Sequence, residues 1–366
     1  MKIREIIQGI HRFAPLNYQE SYDNSGLQVG DIEAEARSAL LALDVTEAVV
    51  EEAVSMGCNL IIAHHPVLFK PLKRLSGANS TERIIIKAIQ NNIAIFAAHT
   101  NLDNMQKGVN LKIAQRLGIQ NPKVLAPVSQ NILKLHTYIP EAHAADLANY
   151  LFAAGAGAIG NYDECSFRQP GTGTFRPGPD TDPMIGKPAG PREYVQEQKL
   201  EVILPEERRD DVLRTLFRYH PYEEVAYGLV RLENTDQTKG AGMIGELPEP
   251  VAIQDFLALV QESMAARSVR YTQPHQNEVQ RIAFCGGSGS FLLPAAIRQN
   301  ADVFLSADFK YHQFFDAENQ IIIADIGHYE SEQFTVEIFS EILKEKFPNF
   351  ATHLTNINTN PINYYI

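Results

Sequence analysis

From residue 39 onward, a short β-branched or leucine-rich run gives way to an amphipathic stretch three times in succession. Residues 39–43, 59–63 and 93–97 read as strands, and 47–56, 81–91 and 109–117 as helices. This alternation constrains the fold more than any other feature, because strands joined through a helix become parallel neighbours with right-handed crossovers. The rhythm returns late in the chain, with strands at 281–285, 302–305 and 320–324 and helices at 291–299 and 330–346. The expected fold class is α/β: a mostly parallel-sheet main domain of two similar portions that bracket something else.

The bracketed segment repeats itself. Lys134-Leu135 and Ile139-Pro140-Glu141 are echoed 65 positions later by Lys199-Leu200 and Leu204-Pro205-Glu206. Leu147, Leu151 and Phe152 then match Val212, Leu216 and Phe217, each at the same distance from its proline. Two strand–helix halves in one apolar phase describe an inserted ferredoxin-like α+β domain. A Gly/Pro-rich stretch at 171–190 between the halves reads as a loop. The 366 residues then divide into an insert at 132–232 and a discontinuous main domain at 1–131 and 233–366.

Charge and cysteine usage narrow the partners. With 44 acidic against 32 basic residues the net charge is −12, which argues against general nucleic-acid binding. The N-terminal stretch has no apolar signal core and nothing approaches the length of a membrane span, so the expected location is the cytoplasm and no membrane partner is expected. Cys58, Cys165 and Cys285 are isolated, leaving neither a disulfide framework nor a CxxC zinc site. Any metal must be held by histidines and carboxylates.

Those residue types fall just after the strands. Asp44, His64 and His65, His99 and Asp103, Asp308, and Asp325 and His328 each follow one of the apolar runs. In an open parallel sheet the strand C-termini share one edge, the usual ligand site. In the tandem His64-His65 the side chains are expected to point apart, so that two metals take one each. His328 and Glu332 stand four apart at a helix start, the spacing that lets one helix supply two ligands. With Asp103 the set is His64, His65, Asp103, His328 and Glu332, suited to two divalent ions such as Zn, Mn or Fe.

Two further segments bear on substrate. Gly286-Gly287-Ser288-Gly289 leaves a strand for a helix, where bare N–H groups can cradle a phosphate or simply make a tight turn. Asp308, Lys310 and His312 alternate after another strand; Lys310 suits a phosphate and His312 a proton donor, with Asp308 either catalytic or capping the helix entry.

At these residues the chain resembles the dinuclear-metal proteins called NIF-three-like, or GTP cyclohydrolase I type 2 homologues. The resemblance runs through 23–28, 43–46, 62–66, 98–104, 286–290, 308–312 and 327–332, with Ser306-Ala307 in place of a frequent Thr-Gly. Residues 160–167, 173–177 and 220–224 are similar to the PII-like insert of the longer members. The resemblance implies that His64, His65, Asp103, His328 and Glu332 hold two metal ions, with Glu332 bridging, and that six copies form a toroidal homohexamer. A metal-dependent hydrolase acting on a nucleotide or another phosphate-bearing small molecule is then expected. A non-catalytic metal-binding regulator or scaffold with a small-molecule-sensing insert is the alternative, and metal storage a third reading.

Overall fold

The first three apolar runs are the strands Ser38–Ala42, Leu60–Ala63 and Ala94–Ala97 in the computed structural model, which describes residues 1–129 and 131–365. Every residue of these strands is buried. That is the signature of parallel strands covered on both faces, where no polar alternation is tolerated. They pair in parallel, Ala39 opposite Leu60 and Leu60 opposite Ala94. Ala351–Leu354 adds in parallel at one side, and Gly26–Val29 antiparallel at the other. The covering helices start where side chains supply the missing acceptors: Thr46 accepts from Val49 N–H, and Asn79 from Glu82 N–H.

The late strands build a second sheet of six. Its order is Arg270–Tyr271, Ile322–Asp325, Val303–Ala307, Glu278–Ser288, Asp236–Ala252 and Gln120–Val128. The pairings of Val303–Ala307 with both of its neighbours are parallel. The strand ends that carry the candidate residues therefore belong to two sheets, not to one shared edge. The helix expected over 330–346 starts one residue pair earlier and is split into His328–Glu332 and Thr335–Lys346. Gly327, at φ 93°, makes the sharp entry that only glycine tolerates, and a Cβ there would lie 2.3 Å from Glu330 Oε2.

The chain divides into two units, Met1–Pro127 with Thr238–Ile366, and Val128–Gln237. The second unit has a four-stranded antiparallel sheet ordered Ser166–Phe175, Glu193–Pro205, Ile132–Pro140 and Tyr227–Arg231. Helices Ala144–Ala153 and Arg209–Tyr219 deliver Leu147, Leu151, Val212 and Leu216 to its core. The last matched pair of the repeat diverges, since Phe152 packs against this core while Phe217 is half exposed. The stretch at 171–190 is not loop throughout. Its first five residues continue the strand Ser166–Phe175, because Gly173 leaves room for Glu197 of the neighbouring strand, whose Oε2 would lie 2.0 Å from a Cβ. Among the described residues no helix is long and apolar enough to cross a membrane.

Candidate metal centre

His64 and His65 leave the strand Leu60–Ala63 on a bend, so the alternation of an extended chain no longer separates them. Their rings lie 5.0 Å apart and both turn toward Glu332, contrary to the expectation that they point apart. His64 is fully buried, and its Nδ1 is 2.9 Å from the Ala98 carbonyl. Burial lowers its pKa to about 4, so the ring is neutral at pH 7. A proton on Nδ1 donates to that carbonyl, leaving the Nε2 lone pair 3.4 Å from Asp103 Oδ1 and 3.8 Å from Glu332 Oε1. Among the described residues neither His64 Nε2 nor Asp103 Oδ1 has a hydrogen-bond partner, although both atoms are buried.

The second half of the cluster has the same design. His65 Nδ1 is 2.7 Å from Asp44 Oδ1, and its Nε2 is 2.9 Å from Glu332 Oε2. His328 Nδ1 is 2.7 Å from Asp308 Oδ2, and its Nε2 is 3.0 Å from the same Glu332 Oε2. The two Nε2 atoms are 3.3 Å apart. Burial disfavours charge on both rings, yet hydrogen bonds to their carboxylates outweigh it and raise His65 to about 10 and His328 to about 11. Asp103 is pushed up, by burial and then by the negative charge of Glu332.

Glu332 thus serves two groups. Donor atoms of His65, His328 and Glu332 lie within 4.8 Å of one another, as do those of His64, Asp103 and Glu332. In the raised, protonated state each Nε2–H of His65 and His328 points at the anionic Glu332. Once that proton is lost, the carboxylate-held Nδ1 leaves an Nε2 lone pair aimed at the same oxygen, a set that could hold a cation. These side chains, with two buried unpartnered acceptors, could hold metal. A third group, His64, His65 and His99, meets the same distance limit. His99 Nδ1 is 2.8 Å from Asp23 Oδ1, repeating the carboxylate–imidazole arrangement.

A cavity of about 460 Å³ opens on the cluster, lined by His65, His99, Asp103, His328 and Glu332 and walled by Tyr22 and Phe291. Asp308 belongs to it indirectly, through His328 and a short hydrogen bond from the Ser288 hydroxyl. Lys310 and His312 do not reach it; both are exposed on the segment beyond. The glycine segment corrects the phosphate-loop expectation. Gly286 N–H donates to Asn110 Oδ1, Gly287 N–H to the Ser331 hydroxyl and Gly289 N–H to the Ser306 hydroxyl. With those donors occupied, the glycines serve close approach: a Cβ on Gly287 would sit 2.3 Å from Glu332 Oε1.

The sequence did not reveal which groups orient the imidazoles: Asp308 stood out as a candidate, but nothing tied it to His328. Asp44 was visible as a strand-end carboxylate, but nothing tied it to His65. Asp23 fell within the resembling span 23–28, with nothing tying it to His99. Thr359, whose hydroxyl donates to Asp44 Oδ2 at 2.6 Å, lies 315 residues further on and carries no local signal.

The family model of Duf34/NIF3 (NGG1p interacting factor 3) matches residues 1–361. A Halalkalibacterium halodurans protein described as a GTP cyclohydrolase 1 type 2 homolog is 36% identical over 364 residues, covering 98% of each chain. A Bacillus subtilis protein of the same description is 34% identical, covering 99% of this chain and 95% of that one. The crystal structure of a Bacillus cereus protein related to NIF3 superposes with a TM-score of 0.88 at 36% identity, over 100% of this chain and 99% of the other. Staphylococcus aureus protein SA1388 gives 0.79 at 30% identity, with the same coverage.

Proposed function

The chain belongs to the Duf34/NIF3 family, and we propose that it is a dinuclear divalent-metal-dependent hydrolase acting on a nucleotide or another phosphate-bearing small molecule. The observation that carries this reading is the division of Glu332, with Oε2 facing His65 and His328 while Oε1 faces His64. One ion would be held by His65, His328 and Glu332, the other by His64, Asp103 and Glu332, with Zn, Mn and Fe all suited to such a nitrogen and oxygen set. Divalent cations there supply Lewis acidity and activate water near neutral pH.

The chain's own residues do the positioning. Asp44, Asp308 and the Ala98 carbonyl keep a proton on Nδ1 of three imidazoles and aim each Nε2 inward. Tyr22 and Phe291 wall the cavity in which a substrate would sit. Lys310 as phosphate partner and His312 as proton donor belong to this reading only for a substrate that extends beyond the cavity. The description of the relatives as GTP cyclohydrolase 1 type 2 homologs favours a nucleotide.

The remainder of the proposal concerns setting. The β-α-β-β-α-β order of Val128–Gln237 supports a ferredoxin-like, PII-like insert. A cytoplasmic homohexamer completes it, testable by light scattering. The deciding experiment is an activity screen of metal-loaded protein against nucleotides, phosphodiesters and cyclic amides. Turnover abolished by chelation and by Glu332→Gln is expected. Turnover that survives complete chelation overturns the mechanism, and no turnover on any substrate favours the non-catalytic regulator or scaffold.

A further inference from the structure

Two of the sequence motifs, 173–177 and 220–224, have no part in the metal centre. Within the unit Val128–Gln237 they meet at a cavity of about 680 Å³. Phe175 and Tyr222 form one wall, their ring centroids 6.0 Å apart and inclined by 61°. A flat ligand can stack on one of these rings and meet the edge of the other.

The cavity also contains a carboxylate that is hard to account for as structure alone. Glu197 is only 9% exposed, and its Oε1 accepts a 2.6 Å hydrogen bond from the Tyr222 hydroxyl. Burial, and then Glu197 itself, raise the Tyr222 pKa, so that hydroxyl stays a donor. Glu197 and Gly173 both line the cavity, and Glu197 Oε2 lies over Gly173, 2.0 Å from where a Cβ would stand, with no hydrogen bond among the described residues. It is an acceptor left open to a donor in the cavity. A carboxylate in apolar surroundings gains most from an N–H donor on whatever enters.

Charge narrows the ligand further. Glu197, Glu223 and Glu224 line the cavity against Arg176 and Lys199, and Lys199 is already paired with Glu201 at 2.6 Å. An anionic ligand is disfavoured. Glu223 also accepts from Asp182 N–H, which fastens the Gly/Pro-rich segment at the cavity rim.

We infer that this cavity binds a planar nitrogen heterocycle, neutral or cationic, which presents an N–H edge to Glu197 and packs on Phe175 and Tyr222. The site shares no residue with the metal centre, so its test stands apart from the hydrolase reading. The test is calorimetric titration of the full chain with 2-aminobenzimidazole, which has the donor edge, and benzoxazole, which has similar shape without it. Saturable binding of 2-aminobenzimidazole, at least tenfold tighter than benzoxazole and weakened at least tenfold by Glu197→Gln, is expected. Should Glu197→Gln fail to fold, Phe175→Leu replaces it, with several-fold weakening expected. No saturable binding, equal affinity for the two compounds, or affinity unchanged in the folded variant overturns the assignment.

Discussion

The carboxylate of Asp44 lies 2.7 Å from Nδ1 of His65, on the opposite side of the ring from Glu332. Thr359 holds the other Asp44 oxygen, so carboxylate, imidazole and Glu332 form one aligned chain. Replacing Asp44 by Asn leaves the shape but offers an amide N–H to Nδ1, which favours the tautomer with the proton on Nε2. Metal affinity of Asp44→Asn should fall about 10–100-fold, read by competition with a chelator of known affinity. Thr359→Val should weaken binding less, because it only loosens the carboxylate. Equal affinities in all three proteins would show that His65 needs no orientation.

Glu332 is the residue on which both three-residue groups depend. Protein purified with divalent metal should carry about two equivalents, and Glu332→Gln should carry one or none, since a neutral amide neither bridges nor balances two cations. Elemental analysis gives the count. Unchanged content in the variant would separate Glu332 from metal binding altogether.

Much of this cluster could be read from the chain because parallel strands need unbroken apolar runs, which makes their ends easy to locate. His64, His65, Asp103 and His328 stood out for that reason, Glu332 through its spacing of four from His328 at a helix start, and the structure brings all five together. What escaped the sequence is orientation and contact over long separations. Asp23 reaches His99 across 76 positions, and Asp44 is held by Thr359 across 315. Nor could the glycine segment be resolved by pattern alone. A bare N–H looks the same in sequence whether it awaits a phosphate or meets the side chain of Asn110, Ser331 or Ser306.

That distinction makes Gly287 a sharp test. Its φ is +60°, so an alanine pays about 1–2 kcal/mol in backbone strain. Its methyl would also approach Glu332 Oε1 to 2.3 Å and displace the carboxylate. Gly287→Ala should therefore lower thermal stability and reduce metal content together. A variant that loses phosphate-ligand binding while keeping full metal content would restore the anion-loop reading.

Glu82 offers a pH test remote from the metal centre. Its carboxylate accepts from Ser76 N–H, the Ser76 hydroxyl and Ala78 N–H, tying down the turn before helix Ser80–Gln90. Those hydrogen bonds, Ser76 first, lower its pKa from 4.5 to about 2. A depressed carboxylate contributes stability that is present above the unfolded pKa and lost as pH falls toward the folded one. The melting temperature of Glu82→Gln should lie below that of the parent at pH 7, with the gap closing between about pH 4.5 and 2. A gap independent of pH across that window would assign the effect to packing.

Removal of the inserted unit tests how the chain is divided. Every donor atom of the metal centre lies in Met1–Pro127 or Thr238–Ile366, and none in Val128–Gln237. The strands on either side of the insert, Gln120–Val128 and Asp236–Ala252, belong to the six-stranded sheet and must be kept almost entire. The insert core is separate, built from Leu133, Leu135, Leu147, Leu151, Leu200 and Val212 with their neighbours. Replacing 129–235 by a short flexible linker should therefore yield a folded protein whose metal content equals that of the parent, while binding of 2-aminobenzimidazole disappears. Metal analysis and calorimetry on the same preparation read both outcomes. Loss of metal, or failure to fold, would show that the main unit depends on the insert for its own core.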